Sequence, residues 1–278
     1  MTRRDEGFFS ARDNTRLFWR SVLPQGEPSC FLGVVHGFGD HSGRYRRFAD
    51  AMAAEGVGVM ALDYRGHGRA DGRRGYCVKW TDYLDDLEVF WARLRGAAQG
   101  KPTFLLGHSH GGLMALHWVL KRPEGLKGLI LTSPYLKLAL NPPVLKVLAA
   151  RVVGTIIPWL PVPTDIKYEQ LSRDVEWQKE TAADPLYGTK ATPRWFVQST
   201  QAQNDLAGRG KDLTLPIYVI AGADDPIAST PASKAFFDTV ASSDKTFEAR
   251  EGMRHEVLCE VGKEALWADI CRWISGHR

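Results

Sequence analysis

Apolar residues gather along this chain in short unbroken runs, and each run ends at glycine, proline or aspartate. The runs are CFLGVVHGFG (Cys30–Gly39), VGVMALDYRGHG (Val57–Gly68), TFLLGHSHGG (Thr103–Gly112), LKGLILTSP (Leu126–Pro134) and PIYVIAGADD (Pro216–Asp225). A strand with one wet face would alternate apolar and polar residues, whereas a run apolar throughout suits a parallel strand covered on both faces. Helical patterns lie between the runs: Arg44–Gly56, Thr81–Gly100 with a threonine cap and an acidic first turn, LMALHWVLKRP from Leu113, Thr230–Val240 and Val261–Ile274. The first part of Lys245–Glu260 reads as a last strand. Strand and helix in alternation predict an α/β fold with a mainly parallel central sheet flanked by helices.

One region breaks this rhythm. From about Lys137 to Lys211 no clear strand pattern occurs, and the stretch opens with LKLALNPPVLKVLAARVVGTIIPWLPVP. Proline and bulky apolar residues in such density predict an inserted helical cap rather than more sheet. The chain is therefore expected to be a single domain with its core in 1–136 and 212–278 and a cap over about 137–211. Trp159 and Leu160 are the expected substrate-binding residues of that cap, which would act as a lid over an apolar pocket suited to long-chain substrates.

Length and charge narrow the function classes. A chain of 278 residues can bury one sizeable core without disulfides. The net charge is only +4, and Arg44, Arg46, Arg47, Arg69, Arg73 and Arg74 are scattered through loops rather than massed. That argues against nucleic acid as a partner and leaves a weak attraction to anionic lipid surfaces. Cys30, Cys77, Cys259 and Cys271 show no C-x-x-C spacing and read as reduced thiols. The N-terminal stretch has no apolar core long enough for a signal peptide, and no run reaches the roughly 18 apolar residues of a spanning helix. The expected location is cytoplasmic, peripheral to the inner membrane surface through transient contact of the cap.

The candidate chemistry centres on Gly107-His108-Ser109-His110-Gly111. It fits G-x-S-x-G and stands where an apolar strand pattern passes into a helical one. A sharp strand-to-helix turn would strain the serine backbone and leave its hydroxyl standing clear, with the helix N-terminus directed at developing negative charge. The rival reading takes His108 and His110 as zinc ligands. Zinc hydrolases need three clustered ligands and an open position; here no third ligand is close in sequence and no H-E-x-x-H occurs. HGFGDHSG is not a phosphate-binding loop either, since it lacks G-x-x-x-x-G-K-[ST]. No metal and no cofactor are expected.

A nucleophilic serine needs a base and an acid to orient it, in the chain order Ser, Asp or Glu, His for this setting. Asp224 and Asp225 both follow the last apolar run, and spacing alone does not choose between them. His255 lies just past the last strand, whereas His277 sits at the chain end, a poor place for a base. The expected oxyanion donors are two backbone amides, that of His110 after the serine and that of Phe38 in the glycine-rich loop after the first apolar run.

Three stretches carry a resemblance to a known family. HGFGDHSGRY looks like HG-x-G-[ED]-H-S-x-R-Y, ALDYRGHGRADGRRG like D-x-R-G-H-G-x-S-x-G-x-R-G, and GHSHGG like G-H-S-M-G-G. The chain so resembles the α/β-hydrolase superfamily, and within it the monoacylglycerol lipase and lysophospholipase branch with a serine aminopeptidase S33 type domain. LSRDVEW and DPLYG extend the likeness into the cap. The resemblance implies Asp225 as the acid, because the branch carries G-x-x-D-P where this chain has Gly222 to Pro226. It supports His255 through RHEVLCE. His110 replaces the usual methionine and Ala70 the usual serine. What it implies is a serine esterase acting on a monoacylglycerol or lysophospholipid. The alternatives are an acyltransferase or short-chain esterase or amidase on the same triad, and a non-catalytic ligand-binding homologue.

Overall fold

A computed structural model describes residues 2–121, 124–139, 148 and 152–278. The end of the helix expected from Leu113, at residues 122–123, and much of the early cap, at 140–147 and 149–151, lie outside the described residues. Strands β1 (Arg3–Ser10), β2 (Arg16–Leu23), β3 (Cys30–Val35), β4 (Val57–Asp63), β5 (Thr103–His108), β6 (Leu126–Thr132), β9 (Ile217–Gly222) and β10 (Lys245–Arg250) form one sheet in the order β1-β2-β4-β3-β5-β6-β9-β10. From β4 to β10 every neighbouring pair is parallel, and β2 joins β4 antiparallel. This is the mainly parallel sheet that the apolar runs predict, in the α/β-hydrolase arrangement that the resemblance implies.

The central strands are buried along their length, save Leu126 and Lys127 at the start of β6, and divide their side chains between two cores. Phe31, Val35, Leu105, Leu129, Leu131 and Val219 join Leu87, Phe90 and Leu94 of α2 (Trp80–Ala98) and Leu113 and Leu116 of α3 (His110–Val119). Leu32, Val34, Leu106, Ile130 and Ile220 point the other way, into a core with Phe48 and Met52 of α1 (Arg46–Ala54) and with Leu266, Ile270 and Ile274 of helix α8 (Lys263–Gly276). The period-2 pleat explains why these strands read as unbroken apolar runs: both faces are covered. Each large apolar side chain so buried contributes about 1.5–3 kcal/mol.

The structure differs from the sequence reading in three places. The N-terminal hairpin β1–β2, paired from Arg3↔Leu23 to Ser10↔Arg16, carries no strong sequence signal. β1 is largely polar and exposed because it forms the sheet edge, so nothing requires apolar residues on either of its faces. The hairpin turn is marked only by Asn14 at φ 66°, with the Asp13 carboxylate accepting from the Thr15 N–H at 3.1 Å. Helix α2 is capped two residues earlier than the expected threonine: the Asp82 carboxylate accepts from the Lys79 N–H at 3.0 Å, which places Thr81 inside the first turn. The expected helical cap also contains a short antiparallel ribbon of β7 (Val162–Pro163) and β8 (Lys190–Ala191), beside α4 (Tyr168–Leu171), α5 (Val175–Ala182) and α6 (Pro193–Asp205). Residues 152–156 are helical as well. The two-residue strands are too short to show a period.

A buried ion pair ties the hairpin, the loop after β4 and α2 together. Arg65 donates to both Asp86 oxygens, at 2.8 and 2.6 Å, and to Asp13 at 2.8 Å. The Asp86 side chain is fully buried, so removing it strands a guanidinium in low dielectric. Asp86→Ala is expected to cost about 3–5 kcal/mol in a denaturant titration. A loss below about 1 kcal/mol would mean that Asp13 alone satisfies Arg65.

Candidate active site

The carboxyl ends of β3, β5, β9 and β10 meet at one edge of the sheet, and four loops leave from there. Ser109 stands alone between β5 and α3, at φ 51° and ψ −116°. A non-glycine residue in that region is strained and persists only where its surroundings hold it. Here its N–H donates to the Thr132 carbonyl at 2.9 Å, and its own carbonyl accepts from Leu113 at 3.1 Å and Tyr135 at 3.0 Å. Close approach of α3 to β3 makes the turn this sharp. A Cβ on Gly111 would lie 2.3 Å from the Val35 oxygen and 2.5 Å from that of His36, so glycine is required.

The loop after β10 carries His255 across the end of β9. It fits because Gly222 lacks a Cβ, which would meet the Arg254 oxygen at 2.2 Å. The Glu256 N–H donates to Leu171 of α4 at 2.8 Å, and the Arg254 N–H to Glu260 at 3.1 Å, so His255 is held from both sides. Its Nε2 lies 2.8 Å from Ser109 Oγ and its Nδ1 2.8 Å from Asp225 Oδ2. The other Asp225 oxygen accepts from the Ile227 and Ala228 N–H groups at 2.8 and 3.0 Å, and the carboxylate is fully buried. A carboxylate accepts, so Nδ1 carries the proton and Nε2 is free to accept from the serine hydroxyl. Asp224 is exposed, and His277 pairs with Asp244 elsewhere. The line therefore consists of Asp225, His255 and Ser109.

Ser109 and His255 line a cavity of about 220 Å³. Gly37, Phe38 and His110 line it beside Ser109, and the Phe38 N–H has no protein acceptor among the described residues. The walls are apolar: Tyr135 and Ile227, with Leu138, Ile166, Leu171, Tyr187, Trp195 and Phe196 from the segment expected to be the cap. The structure does not bring Trp159 and Leu160 here. Both are exposed, at 47% and 42%, and Arg73 lies over the Trp159 ring at 5.6 Å. Apolar sequence does not say which face of such a segment turns inward, and here Leu138, Ile166 and Phe196 of the same region line the cavity instead.

The two histidines flanking Ser109 leave the turn in different directions. His108 Nδ1 donates to the Thr132 carbonyl at 3.1 Å, and its Nε2 lies 3.2 Å from Glu256, off the hydrogen-bond line. Burial lowers its pKa, but the carboxylates around it, Glu256 foremost with Asp40 and Asp225, together outweigh burial and the net shift is upward. Burial raises that of Glu256, and His108 together with His255 and Arg44 outweighs it, so the net shift is downward. His110 instead turns to Tyr64 and Trp195. The two rings do not converge on a shared point, and among the described residues no group of three His, Cys, Asp or Glu could hold a metal ion. Sequence reasoning missed Glu256, Tyr64 and Trp195; the pair His255-Glu256 was the one visible hint, since the other two are far from Ser109 in the chain.

Residues 26–262 match the family model described as serine aminopeptidase, S33, and the chain belongs to that family. Human monoglyceride lipase is 31% identical over 270 residues, spanning 95% of this chain and 88% of that one. A monoacylglycerol lipase of Mycolicibacterium smegmatis is 27% identical over 275 residues, 99% of this chain and 98% of the other. The crystal structure of a Paleococcus ferrophilus monoacylglycerol lipase superposes with a TM-score of 0.83 at 25% identity, covering 100% of both chains.

Buried neutral histidines set a pH limit on this site. Burial lowers His36 to about 3 and pushes His67 and His110 well below the ordinary histidine value. The unfolded chain takes up these protons near pH 6.5 and the folded chain refuses them, so stability falls as pH drops below about 6.5, by about 1.4 kcal/mol per pH unit for each proton withheld. His108 acts in the opposite sense, its contribution being lost as pH rises through its raised pKa. Denaturant titrations from pH 6.5 to 4 should show stability falling, and His110→Met should flatten the slope by about one proton. An unchanged slope would mean that His110 takes up its proton in the folded state.

Proposed function

We propose that this protein is a serine hydrolase of fatty acyl esters with a small polar leaving group, a monoacylglycerol or a lysophospholipid. The observation that carries this reading is the 2.8 Å and 2.8 Å line from Ser109 through His255 to Asp225, with Ser109 and His255 lining an apolar cavity. Ser109 Oγ attacks the ester carbonyl while His255 Nε2 takes the hydroxyl proton. Asp225 holds the tautomer and stabilises the imidazolium. The Phe38 and His110 amides are assigned to the oxyanion, each such donor being worth about 10²–10³ in rate. Collapse of the tetrahedral intermediate breaks the ester C–O bond, and His255 returns the proton to the departing alcohol. Water, deprotonated by the same imidazole, then attacks the acyl-enzyme and releases the fatty acid. The mechanism calls on no cofactor.

The substrate class rests on two supports. Relatives that share most of this chain's length are named as monoacylglycerol lipases. The cavity walls offer an acyl chain apolar contact from both core and cap. In this reading residues 137–211 are the cap on a core of 1–136 and 212–278. Ile156, Ile157, Trp159, Leu160 and Val162, all exposed, give the cap an apolar face for transient contact with a lipid surface at the cytoplasmic side. No helix among the described residues is long and apolar enough to cross a membrane.

A fluorophosphonate probe should label Ser109, and Ser109→Ala should lose on the order of 10⁶ in turnover. Full esterase activity in Ser109→Ala would end this mechanism, and labelling without turnover on any ester would favour a ligand-binding homologue. Phe196→Ala and Leu138→Ala should slow long-chain monoacylglycerols by about tenfold more than butyryl esters, since each removes roughly 1–3 kcal/mol of apolar contact that only a long chain makes. Trp159→Ala should leave that ratio unchanged. Equal losses on both chain lengths would reassign the cavity.

A further inference from the structure

His110 occupies the position next to the nucleophile, and its backbone amide already has a role in the reading above. Its side chain has none. Yet that side chain is fully buried and meets polar groups at both ring nitrogens, the Ser199 hydroxyl being a third, longer contact 3.4 Å from Nε2. Trp195 of α6 donates its indole N–H to His110 Nε2 at 3.1 Å. Tyr64, in the loop after β4, has its hydroxyl 3.2 Å from His110 Nδ1 and 3.0 Å from the Gly37 carbonyl.

The proton positions in this chain are forced. An indole N–H can only donate, so Nε2 is unprotonated and the single ring proton of a neutral imidazole sits on Nδ1. Nδ1–H then donates to the Tyr64 oxygen. Tyr64 has one proton, and a carbonyl can only accept, so that proton goes to Gly37. Burial, which holds His110 neutral, is consistent with this arrangement. The Gly37 oxygen also accepts from His36 Nδ1 at 2.7 Å, so both of its lone pairs are used.

We propose that the His110 side chain is a positioning residue for the oxyanion site: with Tyr64 it forms a one-way hydrogen-bond relay from Trp195 in the cap to the carbonyl of the peptide whose N–H is the Phe38 donor. This rests on the serine hydrolase reading. The Gly37–Phe38 peptide is trans and planar, so fixing its oxygen fixes its N–H on the opposite side. A bond accepted at the oxygen also polarises the amide and strengthens the N–H as a donor. The tautomer makes the relay depend on the cap. Without the indole, the ring proton can move to Nε2, and the Tyr64 hydroxyl can then turn from Gly37 to His110 Nδ1. Trp195 further packs on the Phe38 ring, with centroids 3.9 Å apart, so the cap grips this peptide at both its carbonyl and its side chain.

The test is a double-mutant cycle on the full chain with a monoacylglycerol substrate and an alkyl trifluoromethyl ketone, which forms an oxyanion adduct on a nucleophilic serine. Tyr64→Phe and His110→Met should each lower kcat by about tenfold, a part of what a whole oxyanion donor supplies, with KM changed by less than about twofold. Affinity for the ketone should fall by the same factor as kcat, a split that loss of packing alone would not produce. The double variant should be no slower than Tyr64→Phe alone, because both changes cut one chain. Should His110→Met fail to fold, Trp195→Phe carries the same prediction against Tyr64→Phe. Losses that multiply, or relay variants that keep wild-type kcat, overturn the relay. Ser109→Ala in the same assay separates the two levels. If it stays active the hydrolase reading fails, whereas an inactive Ser109→Ala beside unimpaired relay variants sinks the relay alone.

Discussion

The strained turn at Ser109 is the constraint on which the site depends. A residue at φ 51° survives between β5 and α3 because three backbone hydrogen bonds, to Thr132, Leu113 and Tyr135, pin it from separate elements. Those bonds exist only if β5 and β6 pair in register and α3 lies hard against β3, which the absence of a side chain at Gly111 permits. The two apolar cores hold that register, and a shift of one residue would turn every strand inside out. Core packing thus sets the direction of one hydroxyl.

The fold was largely legible because burial on both faces leaves a plain trace. The unbroken runs Pro216–Asp225 and Thr103–Gly112 contain the strands Ile217–Gly222 and Thr103–His108 to within a few residues at each end. The β1–β2 hairpin was not legible, because an edge strand may be polar on both faces and still pair. Ser109 and His255 could be picked out by their position after predicted elements. Asp225 could not be separated from Asp224 by spacing; the family likeness favoured it, and in the structure its carboxylate meets His255 while Asp224 faces solvent. Trp159 and Leu160 lie exposed rather than on the cavity wall, since apolar sequence in a cap suits either its inner wall or its outer surface. Phe196 and Ile166, which do line the cavity, sit in sequence too mixed to signal it.

Histidine chemistry around the turn is divided by direction rather than by distance. His108 faces Thr132 and Glu256 and keeps its proton more readily than an ordinary histidine. His110 faces an indole donor and stays neutral. Two residues apart in sequence, they serve opposite electrostatic ends: one supports a carboxylate beside His255, and the other passes a directed hydrogen bond toward the peptide of Phe38. Where the related motif has methionine, this chain has a polar link between cap and core.

The central claim is that Ser109 becomes acylated during turnover. Rapid mixing with a fatty acyl ester of a chromogenic alcohol, followed by acid quench and peptide mass spectrometry, tests it most directly. The account predicts a burst of about one alcohol per chain and an acyl group on the peptide carrying Ser109. Alcohol release without a burst would not by itself decide, because fast deacylation hides one. Turnover that persists in Ser109→Ala, with no acylated Ser109 peptide trapped in the wild type at any quench time, would contradict the account.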